Sequence, residues 1–155
     1  MVLFDYMNKD YEILLTQVET IVDKNIPFYS NFANVSAILF QLKNINWAGF
    51  YVVFEDKLYL GPFQGDVACT IINKGKGVCG TSFERKQTII VNDVNKFSGH
   101  IACSSLSKSE IVTPIFNNMN EVIGVIDIDS PIFNRFGEEE KELLESISNI
   151  LSKLF

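Results

Sequence analysis

The side chains of this sequence whose types and spacing suit chemistry are three cysteines, Cys69, Cys79 and Cys103, and three acids, Glu110, Asp127 and Asp129. A cysteine thiolate is the natural nucleophile of a reducing compartment. Three is an odd number, which disfavours a closed set of structural disulfides and leaves at least one thiol over. The cysteines form no C-x-x-C pair. His100 stands three residues before Cys103, so three cysteines and a histidine can be counted toward a zinc site, although without a close cysteine pair its first half is weak. Cys69 falls in a strand-like segment and fits a buried small hydrophobe. Cys103 falls in a polar, loop-like stretch over residues 94–109, where an accessible thiol is expected.

Asp127 and Asp129 alternate with Ile126 and Ile128 in EVIGVIDID, so in a strand both carboxylates point to one face. The preceding run EIVTPIF pairs with it as a hairpin, and closing that hairpin symmetrically around Asn118-Met119 sets Glu110 opposite Asp127. Three acids then converge on one surface. Like charges facing each other on a sheet are destabilising, so the cluster requires a cation, a shared proton or solvent. A carboxyl crowded by two others has a raised pKa and stays protonated near neutral pH, as a general acid worth roughly 10²- to 10⁴-fold must be. Glu110 and Asp129 are the candidates. The competing reading has Asp129 or Ser130 capping a turn in DSPIFNRFG and Glu110 solvated. Trp47 and Tyr51 share a strand face in NWAGFY, either as core or as the aromatic wall of a pocket.

The elements that position these residues follow from periodicity. Apolar residues at helical spacing predict helices over residues 8–24 and 28–42. From Ile45 the pattern turns β-branched and aromatic (INWAGFYVVF), breaks at Glu55-Asp56 and resumes as KLYLGPF, a β-hairpin. A short strand is expected over residues 67–72, then a glycine-bearing loop opening a short helix (KGKGVCGTSFERK), a strand TIIVND, the second hairpin and a final helix over residues 138–155. Glu138, Glu139 and Glu140 sit favourably at the positive end of that helix. The order predicts an α+β fold, with an antiparallel sheet of about six strands flanked by N- and C-terminal helices, in one domain over residues 1–155.

Composition bounds the class. A chain of 155 residues, 47% hydrophobic and 21% charged, is of ordinary globular type. At this length folding buries roughly 70% of the unfolded surface, so no disulfide or metal staple is needed. The net charge of −6, from 13 basic and 19 acidic residues without a basic run, argues against nucleic acid. No apolar run approaches the roughly 20 residues that span a bilayer, and the N-terminus lacks the basic start of a signal peptide. A cytoplasmic protein without membrane contact is expected. The amphipathic terminal helices offer a face for a homodimer.

The motifs GPFQGDVAC, GKGVCGTS, GHIACSS, SKSEIVTPI and GVIDIDSP, in this order, resemble those of the free methionine-R-sulfoxide reductases, which are GAF-domain enzymes. The resemblance runs from about Asn46 to Glu145, and the two leading helices also fit it. It implies a single GAF-type domain that reduces the R epimer of free methionine sulfoxide. By the same resemblance Cys103 is the catalytic cysteine, and Cys69 and Cys79 supply the thiols that resolve or relay a disulfide, Cys69 being favoured as the first. Glu110, Asp127 and Asp129 fall on the family's acidic site residues, and Trp47 and Tyr51 on its substrate-pocket aromatics. The implied course is attack of the Cys103 thiolate on the sulfoxide sulfur, a sulfenic acid, an internal disulfide, and reduction by thioredoxin. No cofactor or metal is expected. Non-catalytic GAF domains that sense cyclic nucleotides or other small molecules are the alternative; for an anionic nucleotide the thiols would be superfluous and the acids repellent.

Overall fold

The computed structural model describes residues 8–99 and 106–155. Four helices and six strands follow one another as α1 (Lys9–Ile21), α2 (Phe28–Leu39), β1 (Trp47–Phe54), β2 (Lys57–Gly65), β3 (Ile71–Asn73), α3 (Gly77–Arg85), β4 (Ile89–Val91), β5 (Ser109–Phe116), β6 (Val122–Ser130) and α4 (Glu138–Ser152). The strands form a single sheet in the order β3-β2-β1-β6-β5-β4, and every neighbouring pair is antiparallel. Its edges are two strands of three residues, β3 and β4, short enough to offer little template for another chain.

The helices begin and end where local chemistry directs. Asn8 accepts a hydrogen bond from the Asp10 amide and caps α1, whose residues Tyr11, Leu14, Leu15 and Val18 form the buried stripe. Asn31, buried in α2, accepts from the Asp23 amide and donates to the Asp23 carbonyl, which fastens the α1–α2 connection. In α4 the Glu140 carboxylate accepts from the Gly137 amide, and Leu143, Leu144, Ile147 and Leu151 face inward.

Period-two alternation divides the sheet into two faces with different partners. Ala48, Phe50, Ile111, Ile115, Ile126 and Ile128 point toward α1, α2 and α4 in one apolar cluster. Phe32 of α2 stacks on Phe50 with ring centroids 4.1 Å apart. Trp47, Tyr51, Val112 and Val125 point the other way, against Val78, Cys79 and Phe83 of α3. The acids belong to this second face.

The Glu55-Asp56 turn closes the first hairpin as expected, with both residues at positive φ (48° and 61°), the pattern of a type I′ turn. Two expectations are corrected. The strand expected over residues 67–72 begins only at Ile71, because residues 66–69 connect β2 to β3 outside any ladder and pairing with β2 starts where the Thr70 carbonyl accepts from the Leu60 amide. The second hairpin does not close symmetrically around Asn118-Met119. Asn117 instead accepts hydrogen bonds from the Met119 and Glu121 amides, its own amide donates to the Glu121 carbonyl, and Asn120 takes φ 60°. With a shift in pairing between Ile115 and Phe116, this longer loop places Glu110 opposite Asp129 and Val112 opposite Asp127. The displacement is two residues, so the side chains stay on the expected face.

Gly49 lies between Trp47 and Tyr51 on the second face. A Cβ there would overlap Phe63 Cβ and lie 2.8 Å from Phe63 Cα and 2.9 Å from the Pro62 carbonyl oxygen. The missing side chain lets Phe63 cross over and stack on Trp47, centroids 5.1 Å apart, where the β1–β2 pairing is irregular. Gly49→Ala is expected to lower the unfolding free energy by about 1–3 kcal/mol through overpacking. The measurement is a reduced urea midpoint at unchanged slope; an unchanged midpoint would mean that Phe63 moves aside freely.

Candidate active site

Three central strands and one helix bring the chemical residues together. Trp47 pairs with Asp129 and Gly49 with Asp127 across β1 and β6, and Glu110 pairs with Asp129 across β5 and β6. Trp47, Tyr51, Asp127, Asp129 and Glu110 therefore share one face; the sequence predicts a common face for the three acids and one for the two aromatics, and the strand pairing joins them. Glu110 and Asp127 are buried, at 7% and 5% exposure; Asp129 is half-buried. The competing capping role falls to Ser130, whose Oγ accepts from the Ile132 amide at 3.2 Å.

The aromatics are held by hydrogen bonds as well as by packing. Trp47 Nε1 donates to the Asp66 carbonyl at 3.0 Å and Tyr51 Oη to the Cys69 carbonyl at 2.9 Å. The two rings stack 6.0 Å apart. Both polar tips are engaged with the connection that carries Cys69, so the aromatic pair fixes that segment beside the acids.

The cysteines separate into different roles. Cys79 is a free thiol in α3, buried, with Sγ 4.0 Å from Glu110 Oε1. Cys69 is half-buried, outside any strand, and disulfide-bonded. It is therefore neither the strand-buried hydrophobe nor a thiolate available to a zinc set with Cys79. Cys103 and His100 lie outside the described residues. Sequence reasoning did not place Cys79 against Glu110. The signal was the glycine pair Gly77 and Gly80 around it: a Cβ on Gly80 would overlap the Asn73 carbonyl oxygen, so this glycine lets α3 pack close and presents its third residue to the sheet. Ser107 was also missed; its hydroxyl lies beside Asp129 and accepts from Asn46 Nδ2 at 3.1 Å.

Burial dominates the electrostatics. Among the described residues the ion pairs are Lys74–Asp56 and Arg135–Glu140, so none reaches the three acids. Burial raises Glu110 well above the usual carboxyl range, and the charges of Asp127 and Asp129 push it further. Burial likewise raises Asp129, reinforced by Asp127 and opposed by Ser107. Asp127 rises from 3.8 only to about 6, because Glu110 and Cys79 beside it favour its anion. Burial thus holds all three carboxyls above the usual range, and the hydrogen bonds from Glu110 and Cys79 favour the anion at Asp127. Burial and the same acids also raise the Cys79 thiol and the Tyr51 hydroxyl. Asp127 Oδ1 is buried and has no hydrogen-bond partner among the described residues. An unmatched buried acceptor beside an aromatic wall is what a cationic ligand group would satisfy.

All three carboxyls bind their protons more tightly in the folded protein than in the unfolded chain. The stabilisation this brings is complete below the unfolded values and is lost as pH rises through the raised folded values, about 6 for Asp127. Asp127→Asn is expected to flatten the fall in unfolding free energy between about pH 4 and pH 7, read by urea denaturation across that range. An equal fall in the wild type and the variant would place the titration elsewhere.

Known proteins show the same arrangement of sequence and fold. A family model described as a GAF domain matches residues 35–154. The free methionine-R-sulfoxide reductase of Saccharomyces cerevisiae is 45% identical over 157 residues, covering 95% of this chain and 87% of that protein. The Escherichia coli protein of the same name is 44% identical over 149 residues, covering 96% and 86%. A crystal structure of free methionine-R-sulfoxide reductase from Neisseria meningitidis in complex with its substrate superposes with a TM-score of 0.89 at 40% identity, covering 96% of this chain and 90% of that one. With a six-stranded antiparallel sheet, three acids on one face and likeness along nearly the whole of both chains, this chain belongs to the free methionine-R-sulfoxide reductase family of GAF-domain proteins.

Proposed function

We propose that the protein reduces free methionine-R-sulfoxide to methionine, with Cys103 as nucleophile and thioredoxin as the external dithiol. The observation that carries this reading is the buried acidic cluster with a carboxylate oxygen, Asp127 Oδ1, that has no hydrogen-bond partner among the described residues. The substrate of the named relatives offers an ammonium, an S-methyl group and a sulfoxide oxygen. Asp127 is the partner for the ammonium, and the face of Trp47 is the wall for the methyl group. Glu110 and Asp129, whose carboxyls burial raises well above the usual range, are the candidate proton donors for the sulfoxide oxygen.

The chemistry balances with two thiols and one external dithiol. The Cys103 thiolate attacks the protonated sulfoxide; the oxygen passes to Cys103 as a sulfenic acid and methionine leaves. A second thiol then attacks the Cys103 sulfur, forming a disulfide, and the oxygen departs as water. Cys69 suits this resolving role, being the disulfide-bonded cysteine among the described residues, whereas Cys79 remains a buried free thiol. Thioredoxin returns both cysteines to thiols by exchange. Ile13, at 57% exposure on the outer side of α1, gives a second copy an apolar contact for a homodimer.

The test is turnover of the separated R and S epimers of free methionine sulfoxide with dithiothreitol. Cys103→Ser is expected to abolish turnover, and retained activity would overturn the assignment of the nucleophile. Glu110→Gln and Asp129→Asn are compared for kcat. A loss of about 10²- to 10⁴-fold identifies the donor, and less than about tenfold in both would remove the acid role. Mass spectrometry after one turnover without reductant should find Cys69 and Cys103 joined.

A further inference from the structure

Cys79, Glu110 and Asp127 come from α3, β5 and β6, and one ligand atom of each lies within 4.8 Å of the others. Cys79 Sγ and Glu110 Oε1 are 4.0 Å apart. Two ligands on a four-coordinate zinc ion, with Zn–S about 2.3 Å and Zn–O about 2.0 Å, sit roughly 3.5 Å from each other. A shift of about half an ångström therefore closes the gap. All three residues are buried, Cys79 at 3% exposure, and Asp127 Oδ1 lacks any hydrogen-bond partner among the described residues.

We infer that the protein with its thiols reduced binds one zinc-class dication at Cys79 Sγ and a carboxylate oxygen of Glu110 and of Asp127. A dication offers what the acids lack among the described residues, a positive charge placed among them, and it accepts the lone pair of Asp127 Oδ1, which has no partner there. One thiolate with two carboxylates favours zinc or cadmium over magnesium or calcium, which take oxygen ligands in larger number. Three protein ligands leave a fourth position for water, the count of an open zinc site. The ligand set differs from the one counted along the sequence, since Cys69 contributes nothing to it. The metal and any ligand that uses Asp127 exclude one another; that consequence alone rests on the substrate reading above.

The test measures binding directly, without turnover, so its failure and the failure of the reductase reading are separable. In full-length protein carrying Cys69→Ser and Cys103→Ser, Cys79 is the only thiol. Cadmium titration should give an ultraviolet thiolate-to-cadmium charge-transfer band saturating at one equivalent, displaced by zinc and not by magnesium. Adding Cys79→Ser should remove the band. Adding Asp127→Asn or Glu110→Gln should weaken affinity by more than about 100-fold, because loss of an outer-shell partner alone costs 10- to 100-fold. Zinc should raise the melting temperature of the parent variant and leave that of Cys79→Ser unchanged. Should the double variant fail to fold, the wild type kept reduced by a phosphine is titrated, with Cys79→Ser as its control. No saturable band, equal zinc affinity after Cys79→Ser, or full affinity with both carboxyl variants would overturn the site.

Discussion

Carboxyl groups withdrawn from water onto one face of a β-sheet, with no cation among the described residues to neutralise them, are the constraint on which the rest of this structure depends. Glu110 and Asp127 are almost wholly buried, and Asp129 faces Glu110 across the strand pair. Such a cluster costs stability at neutral pH and holds only if the strands cannot slip. A one-residue slip would exchange the acids for isoleucines. What prevents it lies on the reverse of the same strands, where Ile111, Ile126 and Ile128 are locked against α1, α2 and α4. The apolar core thus supplies register and stability, and the opposite face spends part of that stability on charge.

The charge itself is graded. Burial raises all three groups, and hydrogen bonds from Glu110 and Cys79 limit the rise at Asp127 to about 6, so the acids differ in how readily they ionise. Burial and the charges of the same acids suppress the Cys79 thiolate, which makes this thiol a poor nucleophile although it lies beside Glu110. Proximity to a general acid and nucleophilic power are opposed demands on a thiol. In the proposed chemistry the nucleophile therefore comes from another segment of the sequence, the one that carries Cys103.

The fold was legible because its signals are local. Helical stripes, the Glu55-Asp56 turn and strand alternation each act within about ten residues, and the elements they predict all occur. The pairing of Glu110 was misread because hairpin register depends on the turn, and Asn117 builds a longer loop than symmetry around Asn118-Met119 implies. The face survived the error because side chains repeat every two residues. The strand near Cys69 starts four residues later than expected, at Ile71, because β-propensity gives a strand only where a partner strand pairs with it. The contact between Cys79 and Glu110 was not legible at all: it depends on how closely α3 approaches the sheet, a tertiary distance that only Gly80 hints at. The membership of the acid face was readable, then, and the packing above it was not. No described helix is long and apolar enough to cross a membrane, in keeping with the absence of any long apolar run.

The unmatched oxygen of Asp127 gives substrate selection a physical scale. In the proposed chemistry a free amino acid brings an ammonium to this oxygen, whereas methionine within a peptide brings an uncharged amide with a single N–H. Leaving a buried acceptor unsatisfied costs about 1–3 kcal/mol, and more where the acceptor is charged. At about 1.4 kcal/mol per tenfold, this one contact separates the two by about five- to more than a hundredfold. The discrimination needs no steric barrier at the pocket mouth. It follows from burying a carboxylate without its counter-charge, so the cost that weakens the fold is also what reads the ligand.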